Sequence, residues 1–192
     1  MPRDQFTLGT KDLDLGSTAP AILTPHLALQ GGKDGKLRLL DLDRLNGRTR
    51  TPGKLGGEYQ VLPAPRGRQV LTAPAVWRTG GKTWAFVATY SATGAYVLET
   101  TPKPHLRRVW ENATGGSSPV VAGGLLYVFD PLGGTLSVYN PSSGKRIARL
   151  NAAPGHWNSP IVADGRVALP DGDANRHRVN GSLNIYRLPT TN

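Results

Sequence analysis

The sequence predicts an all-β fold made of four repeats of one antiparallel, four-stranded sheet, and three observations carry that prediction. Apolar residues come in short runs bounded by Gly, Pro, Asn or Ser, the residues that close tight turns between antiparallel strands. No window of roughly 12 or more residues carries the 3.6-residue apolar period of an amphipathic helix. The same order of signals then recurs four times at a period of about 40–50 residues, the mark of a stacked or radial repeat architecture.

The third repeat is the clearest. In "SSPVVAGGLLYVFDPLGGTLSVYNPSSGKRIARL" (117–150) the strands are "SPVVA", "LLYVF", "TLSVYN" and "KRIARL", broken at Gly123-Gly124, at Asp130 to Gly134 and at Pro141 to Gly144. Along "TLSVYN", Leu136 and Val138 share one face and Thr135, Ser137 and Tyr139 the other, since side chains alternate across a strand. "PVV" and "LLYVF" are nearly continuous in apolar character, as strands covered on both faces are.

Taken in order, each repeat opens on a small residue before Pro and two apolar residues: "TAPAI" (18–22), "TAPAV" (72–76), "SSPVV" (117–121) and "NSPIV" (158–162). Each then reaches a Gly-led third strand: "GKLRLLDL" (35–42), "GAYVLET" (94–100), "GTLSVYN" (134–140) and "GSLNIYRL" (181–188). The opening prolines are 54, 45 and 41 residues apart, the spacing of propeller blades with loop insertions. The expected architecture is a single β-propeller unit over 1–192, with blades at 17–62, 70–112, 117–150 and 158–189. The last repeat stops after its third strand. Either "QFTLG" (5–9) supplies the fourth strand and closes a ring, or the chain is half of an eight-bladed ring completed by a second copy or by an N-terminal half.

Composition bounds the function. At 192 residues the chain can bury roughly 70% of its unfolded surface, so a stable core needs no staple. There is no cysteine, which removes disulfides and thiolate metal sites. The first twenty residues are charged and lack an apolar core, and no run approaches about 18 apolar residues, so neither an export signal nor a membrane span is expected. The net charge of +10 invites a nucleic-acid reading. The charges are dispersed, however, and the densest cluster, "RLNGRTRTPGKLGG" (44–57), has no aromatic residue to stack on bases, so a basic surface is the preferred reading and nucleic acid a minor one.

The third repeat closely resembles those of the pyrroloquinoline-quinone-like (PQQ-like) β-propeller family: Ser-Pro-Val-Val, a Gly-Gly turn, a Tyr-Val strand, a Gly-Thr-Leu strand and an Asx-x-x-Ser/Thr-Gly-Lys turn. The resemblance extends over 17–189 and is greatest to the second half of bacterial envelope members. It implies a periplasmic or extracellular setting, a protein partner in the envelope, and a chain that begins inside a longer gene product. Family members lock neighbouring blades with a Trp after the Asx turn; here Ala148 stands at that place in the third repeat, while Trp110 follows a Pro-interrupted turn in the second. Catalytic members use vicinal cysteines over the quinone and a metal ion held by carboxylates. The cysteines are absent and no carboxylate set matches.

Other signals are weaker. "DGDANRHRVNGS" (171–182) spaces Asp171, Asp173 and Asn175 as a calcium loop does, but Arg176 and Ser182 replace the Gly and Glu of an EF-hand, so a plain connecting loop is preferred, with Asp171 and Asp173 as ligands if a cation binds. The four histidines show no metal spacing and no nucleophile elbow is present. By the geometry the resemblance implies, the loops before first strands and between second and third strands gather on one face. That face would bring together Thr72, Tyr90, Ser117, Ser118, Asp130, His156, Trp157, Asn158, Asp171, Arg176 and His177, a funnel able to take a planar anion or a peptide loop, unless Trp157 packs between blades.

The expected function is therefore a non-catalytic PQQ-like propeller acting as a ligand- or protein-binding scaffold of the bacterial envelope, with no catalytic residue named. The alternatives are the C-terminal half of a PQQ-dependent dehydrogenase carrying PQQ and Ca2+, and a basic nucleic-acid-binding module.

Overall fold

The computed structural model describes residues 4–45, 58–172 and 181–187, and in them the repeats fold as four antiparallel sheets in chain order. Sheet 1 is β1 (Ala21–Thr24), β2 (Leu27–Gly31), β3 (Lys36–Asp41) and β4 (Glu58–Pro63); sheet 2 is β5 (Ala75–Thr79), β6 (Lys82–Ala88), β7 (Thr93–Glu99) and β8 (His105–Asn112). Sheet 3 is β9 (Val120–Ala122), β10 (Leu125–Asp130), β11 (Thr135–Tyr139) and β12 (Arg146–Asn151); sheet 4 is β13 (Ile161–Ala163), β14 (Arg166–Pro170) and β15 (Leu183–Arg187). Every sheet is a plain meander, each strand paired with its sequence neighbour, so the connections are hairpins.

Burial follows the pattern of the sequence. The central strands β2 and β11 are buried along their whole length, whereas the outer strands β4 and β12 alternate or are mostly exposed. Three apolar cores lie in the three seams between successive sheets. Leu37 and Leu39 of sheet 1 meet Val87, Tyr96 and Leu106 of sheet 2. Trp84, Phe86 and Val97 of sheet 2 meet Leu126, Val128 and Tyr139 of sheet 3. Phe129, Leu136 and Val138 of sheet 3 meet Leu169, Val167 and Tyr186 of sheet 4. The innermost strands β1, β5, β9 and β13 touch in that order. The arrangement is open: sheets 1 and 4 do not close on each other.

The expected closing strand is not one. Residues Gln5–Thr10 form a short helix, α1, instead. Asp4 ahead of it pairs with Lys36 (3.1 Å) and Arg38 (3.0 Å) of β3, and Leu8 is buried, which fixes the segment on sheet 1 rather than at the edge of β15. Thr10 Oγ1 donates back to the carbonyl of Phe6 (3.0 Å), so polar groups that a strand would offer to a neighbour are satisfied within the turn.

The two residues ahead of each opening Pro prove to tie neighbouring sheets together. Thr18 Oγ1 donates to the carbonyl of Thr72 (2.7 Å), the Ala73 N–H donates to Ser118 Oγ (3.0 Å), and Ser159 Oγ lies 3.4 Å from Ser117 Oγ.

A second lock joins sheets 2 and 3. Trp110 of β8 reaches across to the Asn140–Lys145 turn of sheet 3, where its Nε1–H donates to the carbonyl of Pro141 (2.7 Å). Gly144 there has φ +69°, and a Cβ on it would lie 2.7 Å from the Trp110 ring. The turn is shaped by Asn140, whose Oδ1 accepts from the N–H groups of Ser142 and Ser143 (both 3.0 Å).

Candidate binding cleft

Where the loops of sheets 2, 3 and 4 converge, a cleft of about 160 Å³ opens, its rim formed by Tyr90, Leu132 and Trp157 and its wall by Thr72, Ser117, Asp130 and His156. Its position follows from backbone contacts that only glycine allows. Gly116 donates its N–H to the carbonyl of Thr89 (2.8 Å), Ser117 donates to that of Phe129 (2.8 Å), and a Cβ on Gly115 or Gly116 would overlap the backbone of Thr89–Ser91 or of Phe129. The chain entering sheet 3 is thereby drawn down between the two neighbouring loops, leaving the hollow above it.

The far wall is the segment before sheet 4. Gly155 donates to the carbonyl of Pro131 (2.9 Å) and pairs with Gly172 in an isolated parallel bridge. The His156 N–H donates to Asn158 Oδ1 (2.5 Å), and the His156 and Trp157 rings sit edge to face with centroids 4.8 Å apart. On the opposite rim the guanidinium of Arg68 lies 5.8 Å from the centroid of the exposed Tyr90 ring. Asp130 Oδ1 accepts from the N–H groups of Leu132 (3.0 Å) and Gly133 (3.1 Å), which holds Leu132 out at the tip of its turn. Trp157 is exposed and does not pack between sheets.

Thr72, Tyr90, Ser117, Asp130, His156 and Trp157 are thus gathered in one place, as the sequence anticipates. Ser118 and Asn158 adjoin the cleft but bind backbone N–H groups. Asp171 anchors its loop: its carboxylate accepts from the N–H of Ser182 (2.6 Å), Asn184 Nδ2 (2.8 Å) and the N–H of Ala153 (3.2 Å). The Asn184 hydrogen bond and then those from the Ser182 and Ala153 N–H groups outweigh partial burial and hold it below the usual carboxylate range. Asp173, Arg176 and His177 lie outside the described residues. Gln69, Leu71, Pro131 and Leu132 line the cleft without having been anticipated; the signal for Leu132 is an apolar residue at the tip of the Asp-Pro-Leu-Gly-Gly turn.

Among the described residues the lining offers one carboxylate, one imidazole, the Gln69 amide and hydroxyls over an apolar floor, with the Arg68 guanidinium beside Tyr90 at the rim. Among the described residues no group of three His, Asp or Glu side chains is placed to hold a metal ion. This donor set does not fit a polyanionic quinone paired with a divalent cation. It fits a neutral or apolar segment that inserts a side chain between aromatic walls.

Among solved structures the chain is similar to the computationally designed propeller Ika4, with a TM-score of 0.55, 10% identity and coverage of 90% of this chain and 91% of that one. It is similar also to the designed Ika8, with a TM-score of 0.52 and 12% identity over 90% of this chain and 45% of that one. The chain is a β-propeller. A weaker likeness, with a TM-score of 0.42 and 16% identity, links it to BamB from Moraxella catarrhalis, covering 91% of this chain and 58% of that one. The propeller thus spans less than half the length of Ika8 and under two thirds of BamB. No protein-family model and no curated protein sequence matches it.

Proposed function

We propose that this propeller is a non-catalytic binding scaffold of the PQQ-like type, and that it captures an extended peptide segment of a partner protein in the cleft between Tyr90, Leu132 and Trp157. The observation that carries the reading is the cleft itself. Three large side chains stand exposed at its rim, Leu132 on the Asx turn that Asp130 closes, Trp157 edge to face with His156 and Tyr90 beside the Arg68 guanidinium. Of the hydroxyls below them, those of Thr72 and Thr89 already donate to the carbonyls of Ala88 and Ala92, which leaves Ser117 to meet a peptide backbone. The Trp110 lock on the Asn140–Lys145 turn supports the PQQ-like assignment, since that family ties adjacent blades with a Trp and such a turn. The bacterial envelope setting follows from the sequence resemblance.

The test is selection of a random 12-residue peptide display library on the immobilised protein, with the Trp157→Ala variant as counter-selection. Peptides sharing an apolar or aromatic anchor are expected to emerge and to bind the variant at least about tenfold more weakly. Failure to recover any peptide that prefers the unaltered protein would remove the reading.

A further inference from the structure

Each internal seam is built by the same rule. The residue directly after the opening Pro points toward the next blade, and the one after that points toward the preceding blade. Thus Ala75 and Val121 share the seam between blades 2 and 3, and Val120 and Val162 share that between blades 3 and 4. Two members of this series have no seam to occupy. Ile161, the forward residue of blade 4, is 67% exposed, and Ile22, the backward residue of blade 1, is 50% exposed.

The Gly-led third strands repeat the observation. Leu37 and Leu39 of blade 1 and Leu136 of blade 3 are fully buried at the second and fourth places after their Gly. At the same places in blade 4, Leu183 is 66% and Ile185 is 53% exposed. Ile161, Ala168 and Ile185 form a cross-strand row on the forward face of blade 4. Ile22, Ala28 and Leu40 form the matching row on the backward face of blade 1; Ala28 is already buried within the chain, while Ile22 and the bordering Val61 and Tyr59 are exposed. One end is a seam's forward half and the other its backward half.

Arg166 and Arg187 lie opposite each other at one end of the blade 4 face, while blade 1 carries Lys36 and Arg38, paired with Asp4 and Asp34, and Glu58 opposite Leu40. Beneath the blade 1 face a hollow of about 320 Å³ is lined by Lys36, Arg38, Glu58 and Val61, and the buried Nε of Arg38 has no acceptor among the described residues.

We infer that two copies of this chain join head to tail, the forward face of blade 4 in each packing on the backward face of blade 1 in the other, to close an eight-bladed ring with two-fold symmetry. Two identical, heterologous seams then form at once, which ends the assembly at a dimer. A second copy is the occupant because both halves of the missing seam reside on this one chain, the apolar series of each continuing that of the internal seams. The inference goes beyond the peptide-binding reading and stands or falls separately from it.

The test is sedimentation velocity at about 10 µM, a concentration at which a standard-size interface is occupied. The unaltered chain is expected at twice its 20.5 kDa mass. Ile161→Asp and Ile22→Arg are each expected to sediment as monomers, with association weakened at least about tenfold. An equimolar mixture of the two is expected to regain dimers, since one seam then pairs the unaltered halves and the other pairs Asp with Arg. Near-ultraviolet circular dichroism of each variant checks that the blades remain packed. A monomeric unaltered chain overturns the inference and assigns the faces to a different chain. Dimers that persist in both variants, or a mixture that stays monomeric although each variant is folded, overturn it as well.

Discussion

Replacing Trp110 tests the lock between blades 2 and 3 at one side chain. Its Nε1–H bond to Pro141 contributes about 1 kcal/mol, as a net neutral hydrogen bond does. Its ring makes tilted contacts with Phe86 and Tyr139 at centroid separations of 6.2 and 6.4 Å, each worth about 0.5–1 kcal/mol beyond area. Trp110 is half-buried, so lost burial adds about 1 kcal/mol. Trp110→Ala is therefore expected to destabilise the chain by about 3–4 kcal/mol, and Trp110→Phe, which keeps most of the ring, by about 1 kcal/mol. At 2–4 °C per kcal/mol for a chain of this size, the alanine variant should melt roughly 6–16 °C lower. Urea unfolding followed by circular dichroism, at one fixed protein concentration because association shifts the midpoint, measures both variants. A cost under about 0.5 kcal/mol for Trp110→Ala would refute the reasoning, because a side chain without tertiary role behaves so.

Further outcomes follow from the same geometry. Gly144→Ala should cost about 1–3 kcal/mol in the same assay, since the residue has φ +69° and its Cβ would press on the Trp110 ring. Asp34→Ala should cost about 3 kcal/mol by leaving the buried Arg38 with Asp4 alone, and the double variant with Arg38→Met should recover more than half of that loss. Asp171 is held below the ordinary carboxylate value, so its contribution is complete above about pH 4 and is lost as pH falls through its lower folded value. Thermal midpoints followed from about pH 6 to about pH 2.5 should fall less steeply for Asp171→Asn than for the unaltered chain. Trp157→Ala should leave the urea midpoint within about 0.5 kcal/mol of the parent, as expected of an exposed side chain.

Much of the architecture is legible in the sequence because repeats report it redundantly. The Pro-apolar-apolar openings and Gly-led strands mark eight strand positions, two in each repeat, and a single misread turn would not displace the others. The segment 5–9 has no such support. Its six-residue helix is stabilised by Asp4 meeting Lys36 and Arg38, charges more than thirty residues away that no local pattern announces. The blade lock is missed for a related reason: read along one repeat, Ala148 stands where a Trp is expected, whereas the Trp that matters belongs to the preceding blade. The cleft is partly legible, since Ser117, His156 and Trp157 precede first strands while Tyr90 and Asp130 lie between second and third strands, the two loop types that gather on one face. Leu71 and Leu132 are not, because apolar residues in turns look like interrupted strands until the Asx turn at Asp130 sets their direction.

The most direct test of the functional account is to titrate a selected 12-residue peptide into uniformly 15N-labelled protein and map the amide shifts. The account predicts saturable changes centred on Tyr90, Ser117, Leu132, His156 and Trp157, unchanged when salt is raised. Shifts scattered over the lysine and arginine surface that vanish with salt would contradict it, because they would mark charge attraction to the basic surface in place of recognition in the cleft.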